Sequence, residues 1–257
     1  MAIGYWRIWF ALGPVLLIAV WKRLLNFQCL KLTFWPGVGY GVATSFFYPA
    51  TQITSVANAT LITVLQPIPL LFVGAIFFNE YPTKRKIGWT LISIAGSITM
   101  VLGAKSRGTG DLTGDFLAIG SLVFMALYFS SAKRARESLE TIPLMTGVWL
   151  WAGIIMTPVI FLTGKDLVPI NGRDWFFVAC IAAIPGTGHF LTSFAQRYAQ
   201  LALVGVFQLL TPVISAVFAF WFLDQVISLV QGISMVVVVT SLTFFTLEKN
   251  TSKPTTN

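Results

Sequence analysis

The sequence predicts an all-α polytopic membrane protein, on three observations. Of the 257 residues, 56% are hydrophobic and only 10% are charged, and the mean hydropathy is +0.80. Apolar runs of about 20 residues, the length that crosses a bilayer as a helix, recur along the whole chain. The joins between these runs reach only about fifteen residues, which is too short for a soluble domain.

Nine apolar runs are predicted to be transmembrane helices, because each is bounded by charged or turn-forming residues. They cover residues 5–21, 37–55, 58–78, 86–104, 115–132, 142–163, 174–196, 202–223 and 226–247. A short linker at 105–114 follows the fourth run, and a polar tail at 248–257 follows the ninth.

The net charge of +8 is a signal of topology rather than of nucleic-acid binding, because the basic residues are dispersed among the joins. If the chain changes sides at every span, twelve lysines and arginines fall on one side and five on the other. Loops rich in Lys and Arg stay in the cytoplasm, so the C-terminus is predicted to be cytoplasmic, in a plasma or inner membrane. The N-terminus then falls outside, and we expect a first helix upstream of residue 1.

Two segments of the chain are similar to each other and indicate an internal repeat. Residues 50–67 read ATQITSVANATLITVLQP and residues 195–212 read AQRYAQLALVGVFQLLTP, so that Pro67 aligns with Pro212. In the continuation, Glu80 corresponds to Asp224. Basic residues follow Glu80 but not Asp224, which predicts that the two copies have opposite orientations. The predicted repeats are therefore 1–104, with four helices, and 115–247, with five.

The residues of both copies resemble the drug/metabolite transporter superfamily, in particular its EamA-type members. That resemblance implies ten helices in two inverted five-helix repeats, both termini in the cytoplasm, and export or exchange of small metabolites through a central cavity. Two departures from the family pattern are expected: its first helix would lie upstream of residue 1, and Ile53 stands where the joint often carries tyrosine.

By the resemblance, the run 58–78 lines the cavity, and its prolines kink it as a bending point for gating. The carbonyls that these prolines free are expected to face protein or water. Polar residues beside the kinks, and polar pairs four residues apart in other runs, are the candidate solute contacts. The cavity candidates are Tyr48, Gln52, Thr63, Gln66, His189, Ser193, Gln208 and Thr211, and the kink candidates are Pro67, Pro69, Pro185 and Pro212.

Each of these residues also has a purely structural interpretation. The prolines are common packing devices in membrane helices, and an amide such as Gln66 can bond a neighbouring helix, with a typical gain of about 0.6 kcal/mol. His189 can be a neutral histidine bonded to a carbonyl, and Asn58 is expected to be a helix N-cap. Glu80 and Asp224 are interpreted as structural ends of the repeat.

A solute carrier that works by alternating access is the predicted function, as an exporter, exchanger or facilitator. The acidic residues lie in joins or at span ends, which favours facilitated diffusion or exchange over proton-driven export. The absence of charge at mid-membrane argues against a site tuned to a strongly charged solute. A non-transporting scaffold or receptor of the same fold remains the alternative. An enzyme has little support, because HExxH and GxSxG motifs are absent and the chain has one histidine. We expect no cofactor and no metal; the expected partners are the lipid bilayer and a small-molecule solute, with a homodimer as an open option.

Overall fold

The computed structural model describes residues 2–54, 56–103, 111–162, 172–224 and 226–248, which form helices and short joins without a strand. The predicted all-α class is therefore confirmed. The helices are α1 (Ala2–Trp21), α2 (Phe27–Ile53), α3 (Val56–Val64), α4 (Pro67–Phe77), α5 (Lys84–Leu102), α6 (Leu112–Arg136), α7 (Thr141–Leu162), α8 (Gly172–Ala195), α9 (Leu201–Phe207), α10 (Leu210–Leu223) and α11 (Leu229–Leu247).

Seven stretches of the described chain are long and apolar enough to cross a membrane, which confirms a multi-pass membrane protein. Two of the seven, Asn58–Phe77 and Leu201–Phe222, each combine two shorter helices. Two of the nine predicted runs, which correspond to α2 and α5, are not among the seven. Both helices contain several Ser, Thr and Gly residues, which lower their hydropathy. The count of nine spans stays a prediction, and most of the linker 105–114 and of the tail 248–257 lies outside the described residues.

The chain folds into two compact units, and each draws on both halves of the sequence. Unit 1 consists of Met1–Ile53 and Phe116–Ala199, and unit 2 consists of Thr54–Asp115 and Gln200–Asn257. The predicted repeats, 1–104 and 115–247, therefore each contribute helices to both units. The boundaries of the repeats themselves remain predictions.

In unit 1, glycines of α2 allow its backbone to approach other helices closely. A Cβ atom on Gly41 would lie 3.0 Å from Cα of Ala152 in α7, and one on Gly39 would lie 2.6 Å from the backbone nitrogen of Tyr128 in α6. Small residues at such contacts are the usual device of helix packing in membranes, where burial of apolar surface gives little drive. This packing determines where the polar side chains of α2 stand in unit 1.

In unit 2, α5 and α11 pack along an apolar seam. The rings of Trp89 and Phe244 stack with centroids 4.8 Å apart, and a Cβ on Gly96 would lie 3.0 Å from a methyl group of Val238. Val238 is fully buried in the core of this unit. The same buried core contains Val64 of α3, Val206 of α9 and Val213 of α10.

The first predicted kink is a break between α3 and α4 at residues 65–66. Pro67 and Pro69 have no N–H, so a regular helix would leave the carbonyls of Thr63 and Leu65 without donors. Instead, the N–H of Gln66 donates to Thr63 at 3.0 Å and that of Ile68 donates to Leu65 at 3.0 Å. These i→i−3 bonds span one residue fewer than the i→i−4 bonds of a regular helix, and they satisfy both carbonyls. The carbonyls therefore need no hydrogen-bond donor from another helix or from water.

The second break, between α9 and α10 at residues 208–209, repeats this solution. Pro212 leaves the carbonyl of Gln208 without its helical donor, and the N–H of Thr211 donates to that carbonyl at 3.0 Å. Within unit 2 the broken segments meet, since a Cβ on Gly205 would lie 3.0 Å from Cα of Pro67. Paired interruptions of this kind are typical of transporters that bind solutes beside broken helices.

The expectation that Asn58 is an N-cap is wrong. Helix α3 begins at Val56, so Asn58 lies inside its first turn. Its amide nitrogen lies 3.4 Å from Oγ1 of Thr54 and 3.5 Å from Oδ1 of Asp115, and the Thr54 hydroxyl donates to the same carboxylate at 2.7 Å. Asn58 therefore helps to hold the start of α6 rather than the start of its own helix.

Asp111 caps α6 at the same end of unit 2. Its Oδ1 accepts from the N–H of Thr113 at 2.7 Å, and this bond to the charged form lowers the pKa of the Asp111 carboxyl. Since the pKa is lower in the folded chain than in the unfolded one, the cap stabilises the fold above the ordinary Asp pKa. That stabilisation is lost as the pH falls through the lowered value.

Glu80 joins the end of α4 to the start of α9. Its Oε2 accepts from the N–H of Leu201, the first residue of α9, at 2.8 Å, and the side chain of Gln200 makes no capping bond there. Asp224, its predicted counterpart, is exposed and sits in the left-handed region (φ 50°) at the end of α10. The two predicted repeat ends therefore have different surroundings.

We expect Glu80→Ala to destabilise the fold by about 1 kcal/mol, because the Leu201 N–H loses its acceptor. Asp224→Asn serves as the control: it removes an exposed carboxylate but keeps a residue that tolerates the left-handed region, so its effect should stay within about 0.5 kcal/mol. Thermal unfolding in detergent measures both variants. Equal effects of the two changes would contradict a specific role for Glu80.

Candidate functional site

A group of one cation and four rings lies within unit 1, on helices that are otherwise apolar. We call it the Arg7 cluster; it comprises Arg7 of α1, Tyr40 and Tyr48 of α2, Tyr128 of α6 and His189 of α8. The two tyrosines of α2 are eight residues apart, about two turns, and so share one face of that helix. Four helices thus bring polar groups to one place inside a membrane-spanning unit.

Tyr40 is the centre of the cluster and is almost fully buried. Nη2 of Arg7 donates to the Tyr40 hydroxyl at 2.9 Å, and the guanidinium carbon lies 5.9 Å from the ring centroid of Tyr48. The Tyr40 ring meets His189 edge-on with centroids 5.0 Å apart, and it meets Tyr128 at 5.1 Å. Edge contacts are a favoured geometry for aromatic pairs, so the rings support one another.

The polar groups of the cluster have few partners within the protein. The Tyr128 side chain is 0% exposed, and its hydroxyl has no hydrogen-bond partner. Among the described residues, one ion pair is present, between Arg85 and Glu248. Arg7 therefore has no described carboxylate as its counter-charge. Leaving the buried Tyr128 hydroxyl unpaired is costly, whereas Arg7 is half-buried and lacks only a counter-charge. A cluster of this kind is therefore a candidate binding site, since a polar solute would supply the missing partners.

Polar residues continue along the face of α8 that carries His189. Ser193 and Gln196 follow at intervals of four and three residues, and both are buried. Gln196 Nε2 donates to the carbonyl of Phe129 in α6 at 3.3 Å, whereas the Ser193 hydroxyl and the Gln196 carbonyl oxygen have no partner. Gln196 thus contacts α6, and Ser193 and Gln196 add buried unpartnered atoms to unit 1.

Comparison with known proteins decides the family of the chain. A model of the EamA-like transporter family matches residues 1–102 and 112–247, which together cover most of the sequence. The chain belongs to the EamA-like transporter family. This confirms the resemblance found in the sequence.

Curated relatives of this EamA-like protein include transporters from distant organisms. Solute carrier family 35 member G1 of Mus musculus is 26% identical over 204 residues, covering 74% of this chain and 54% of the relative. An uncharacterized transporter of Haemophilus influenzae is 22% identical over 218 residues, covering 80% of this chain and 70% of the relative. The chain spans about half the length of the mouse protein.

A solved crystal structure has the same fold. It superposes on the EamA-like chain with a TM-score of 0.80 and covers 96% of this chain and 88% of its own. The two sequences are 18% identical, so the match shows the fold alone.

The predicted site residues of this EamA-like protein that lie in unit 1 have different environments. Tyr48 and His189 belong to the Arg7 cluster, and Ser193 belongs to the adjoining stripe. The imidazole of His189 contacts the rings of Tyr40 and Tyr128. Gln52 and Pro185 are exposed.

The remaining predicted residues lie in unit 2, around the breaks of the helices. Gln66 is 5% exposed, and its amide nitrogen has no partner. The Thr63 hydroxyl donates to the carbonyl of Thr60 at 2.8 Å. Thr211 is exposed, Gln208 and Pro69 are half-buried, and Pro67 and Pro212 are buried. The structure thus divides the candidates between the two units, and their role in solute contact remains a prediction.

Sequence reasoning missed three residues of the cluster: Arg7, Tyr40 and Tyr128. Arg7 is one of the five basic residues on the less basic side of the predicted topology, although it lies inside the first apolar run, where an ionisable residue indicates a functional site. The two tyrosines lie inside the runs 37–55 and 115–132 and resemble ordinary membrane aromatics. Of the three residues, only Arg7 could have been recognised as a site candidate from the sequence, because it is an ionisable residue inside an apolar run.

Proposed function

We propose that this member of the EamA-like family carries a small organic solute across a membrane, and that the solute binds at the Arg7 cluster. The observation that supports this proposal is the buried Tyr128 hydroxyl without a partner, whose ring contacts Tyr40, the residue that binds a cation without a described counter-charge. A packed core avoids such groups, whereas a binding site needs them. A bound solute would accept or donate the bonds that the protein leaves unmade.

Transport requires that this site opens to each side of the membrane in turn. We propose that the breaks at 65–66 and 208–209 provide the bending points, since their i→i−3 bonds are weaker than regular helical ones. The described acidic side chains lie in joins or in the first or last turns of helices. This placement favours facilitated diffusion or solute exchange over coupling to a proton carried by a carboxylate at mid-span.

The test is solute flux into proteoliposomes that hold the 257-residue chain, with a mixed pool of labelled metabolites. Tyr128→Phe is expected to reduce flux at least tenfold without loss of folding, because it removes one unpartnered hydroxyl and keeps the ring. Tyr198→Phe is the matched control, since Tyr198 is 76% exposed in the join after α8, and its flux should not change.

Three results would count against this proposal. Equal flux in Tyr128→Phe and the native chain would remove the Arg7 cluster from the solute path. Absence of flux from folded, inserted protein would remove the carrier itself. Binding of a solute without flux would instead support a scaffold or receptor of the same fold.

A further inference from the structure

We infer that the solute is a small organic monoanion whose carboxylate binds Arg7. This inference rests on the proposed function, because it assigns a substrate class to the same site. It depends on the charge of the Arg7 cluster, on the donors that this cluster leaves unused, and on the rings that surround them.

Arg7 is a permanent positive charge within an apolar helix. Arginine keeps its proton in proteins, and α1 contains no acidic residue. Across the described residues, the partners of the guanidinium are the Tyr40 hydroxyl and the Tyr48 ring, both neutral. The positive charge is therefore uncompensated by described groups, and an anionic solute would neutralise it.

The guanidinium also has donors to spare. It carries five N–H groups in a planar fork, and one nitrogen is engaged by Tyr40. A carboxylate matches such a fork with two parallel hydrogen bonds, which a neutral amide or alcohol cannot reproduce with equal strength. The Tyr128 hydroxyl, which has no partner in the protein, offers a further bond near the same ring cluster.

The number of basic residues in the Arg7 cluster favours a monoanionic solute over a phosphate. The Arg7 cluster contains one arginine and no lysine, and its remaining members are three tyrosines and one histidine. A phosphate group carries up to two charges and is usually held by several basic groups. The rings of Tyr40 and His189, which contact each other edge-on at 5.0 Å, add an apolar surface to the cluster rather than a second charge.

The experiment compares carboxylates with their neutral amides in proteoliposomes of the full chain at neutral pH. The labelled probes are lactate and lactamide, 4-hydroxybenzoate and 4-hydroxybenzamide, and glycerol 3-phosphate as the phosphate arm, beside the mixed metabolite pool. We expect carboxylates from this set or the pool to move at least tenfold faster than matched neutral compounds. An inside-positive membrane potential should accelerate their uptake if the anion moves alone.

Arg7 variants connect that selectivity to the residue. Arg7→Gln should reduce carboxylate flux at least tenfold, and Arg7→Lys should retain part of it because the charge remains while the fork is lost. Tyr40→Phe, which removes the partner of Arg7 but not the charge, should weaken carboxylate flux less than Arg7→Gln. Arg173→Gln is the control, because Arg173 lies in the first turn of α8, packs on Phe177 and is outside the cluster.

The outcomes separate this inference from the proposed function. Flux of a neutral solute that Arg7→Gln leaves unchanged would keep the carrier and overturn the anionic substrate. Preference for glycerol 3-phosphate would overturn the carboxylate assignment. Flux of no compound by the folded native chain would overturn the proposed function and, with it, this inference.

Discussion

Gly39→Ala is expected to destabilise the protein by about 1–3 kcal/mol, although it adds a single methyl group. The new Cβ would lie 2.6 Å from the backbone nitrogen of Tyr128, 2.9 Å from the carbonyl oxygen of Phe124 and 3.0 Å from Cα of Tyr128. All three atoms belong to the backbone of α6, so no side-chain rotation relieves the contact. Helices α2 and α6 must move apart, and Tyr40 and Tyr128 must separate with them.

Transport should fall with stability in this variant, because a shift of about 1 Å in a binding site is enough to impair it. Thermal unfolding in detergent and solute flux measure the two effects. Gly88→Ala is the matched control, since a Cβ at Gly88 would have no neighbour within 4 Å. This control should be neutral or gain up to about 1 kcal/mol from better helix propensity. Native stability in Gly39→Ala would show that α2 and α6 are not packed as described.

Gln66→Leu is expected to raise stability by about 1 kcal/mol and to lower transport. The amide nitrogen of Gln66 is buried without a partner, so the folded protein carries an uncompensated desolvation penalty at this position. Leucine has a similar size and removes that penalty. Gln66 belongs to unit 2 and not to the Arg7 cluster, so its proposed role is that of a separate donor to the solute beside the break at 65–66. Loss of that donor should reduce flux at least tenfold.

Gln208→Leu is the corresponding comparison for stability at the second break. Gln208 is half-buried, so its replacement should change stability by less than about 0.5 kcal/mol. A stable Gln66→Leu variant with native flux would assign Gln66 to packing alone. A less stable Gln66→Leu variant would instead mean that the amide has a partner which the described residues do not reveal.

The breaks in two spans show how far sequence reasoning reaches in this protein. Pro67 and Pro212 predict interruptions because proline removes an N–H whatever its surroundings are. The structure has those interruptions, at 65–66 and 208–209. It also shows what the sequence pattern did not predict: the N–H groups of Gln66 and Thr211 satisfy the freed carbonyls locally.

The Arg7 cluster could not be predicted in the same way. Successive members are 8 to 80 residues apart along the chain, at positions 7, 40, 48, 128 and 189. No local spacing connects them, and each by itself fits an ordinary membrane helix. His189 and Tyr48 were selected from short polar pairs, whereas Tyr40 and Tyr128 became candidates only through their ring contacts. The prediction that Asn58 is an N-cap was wrong for a related reason, because its partners Thr54 and Asp115 lie outside its own helix.

The amino-acid sequence by itself determined the class of this protein: an all-helical, multi-pass membrane protein of the EamA-like family, with prolines that interrupt two of its apolar runs. Composition and run length suffice for that conclusion, because a bilayer accepts helices whose backbone bonds are satisfied within each segment. Tertiary structure alone decided which polar residues meet. Close approach of α2 and α6 at Gly39 depends on the shapes of both helices, and it places Tyr40 beside Tyr128, Arg7 and His189.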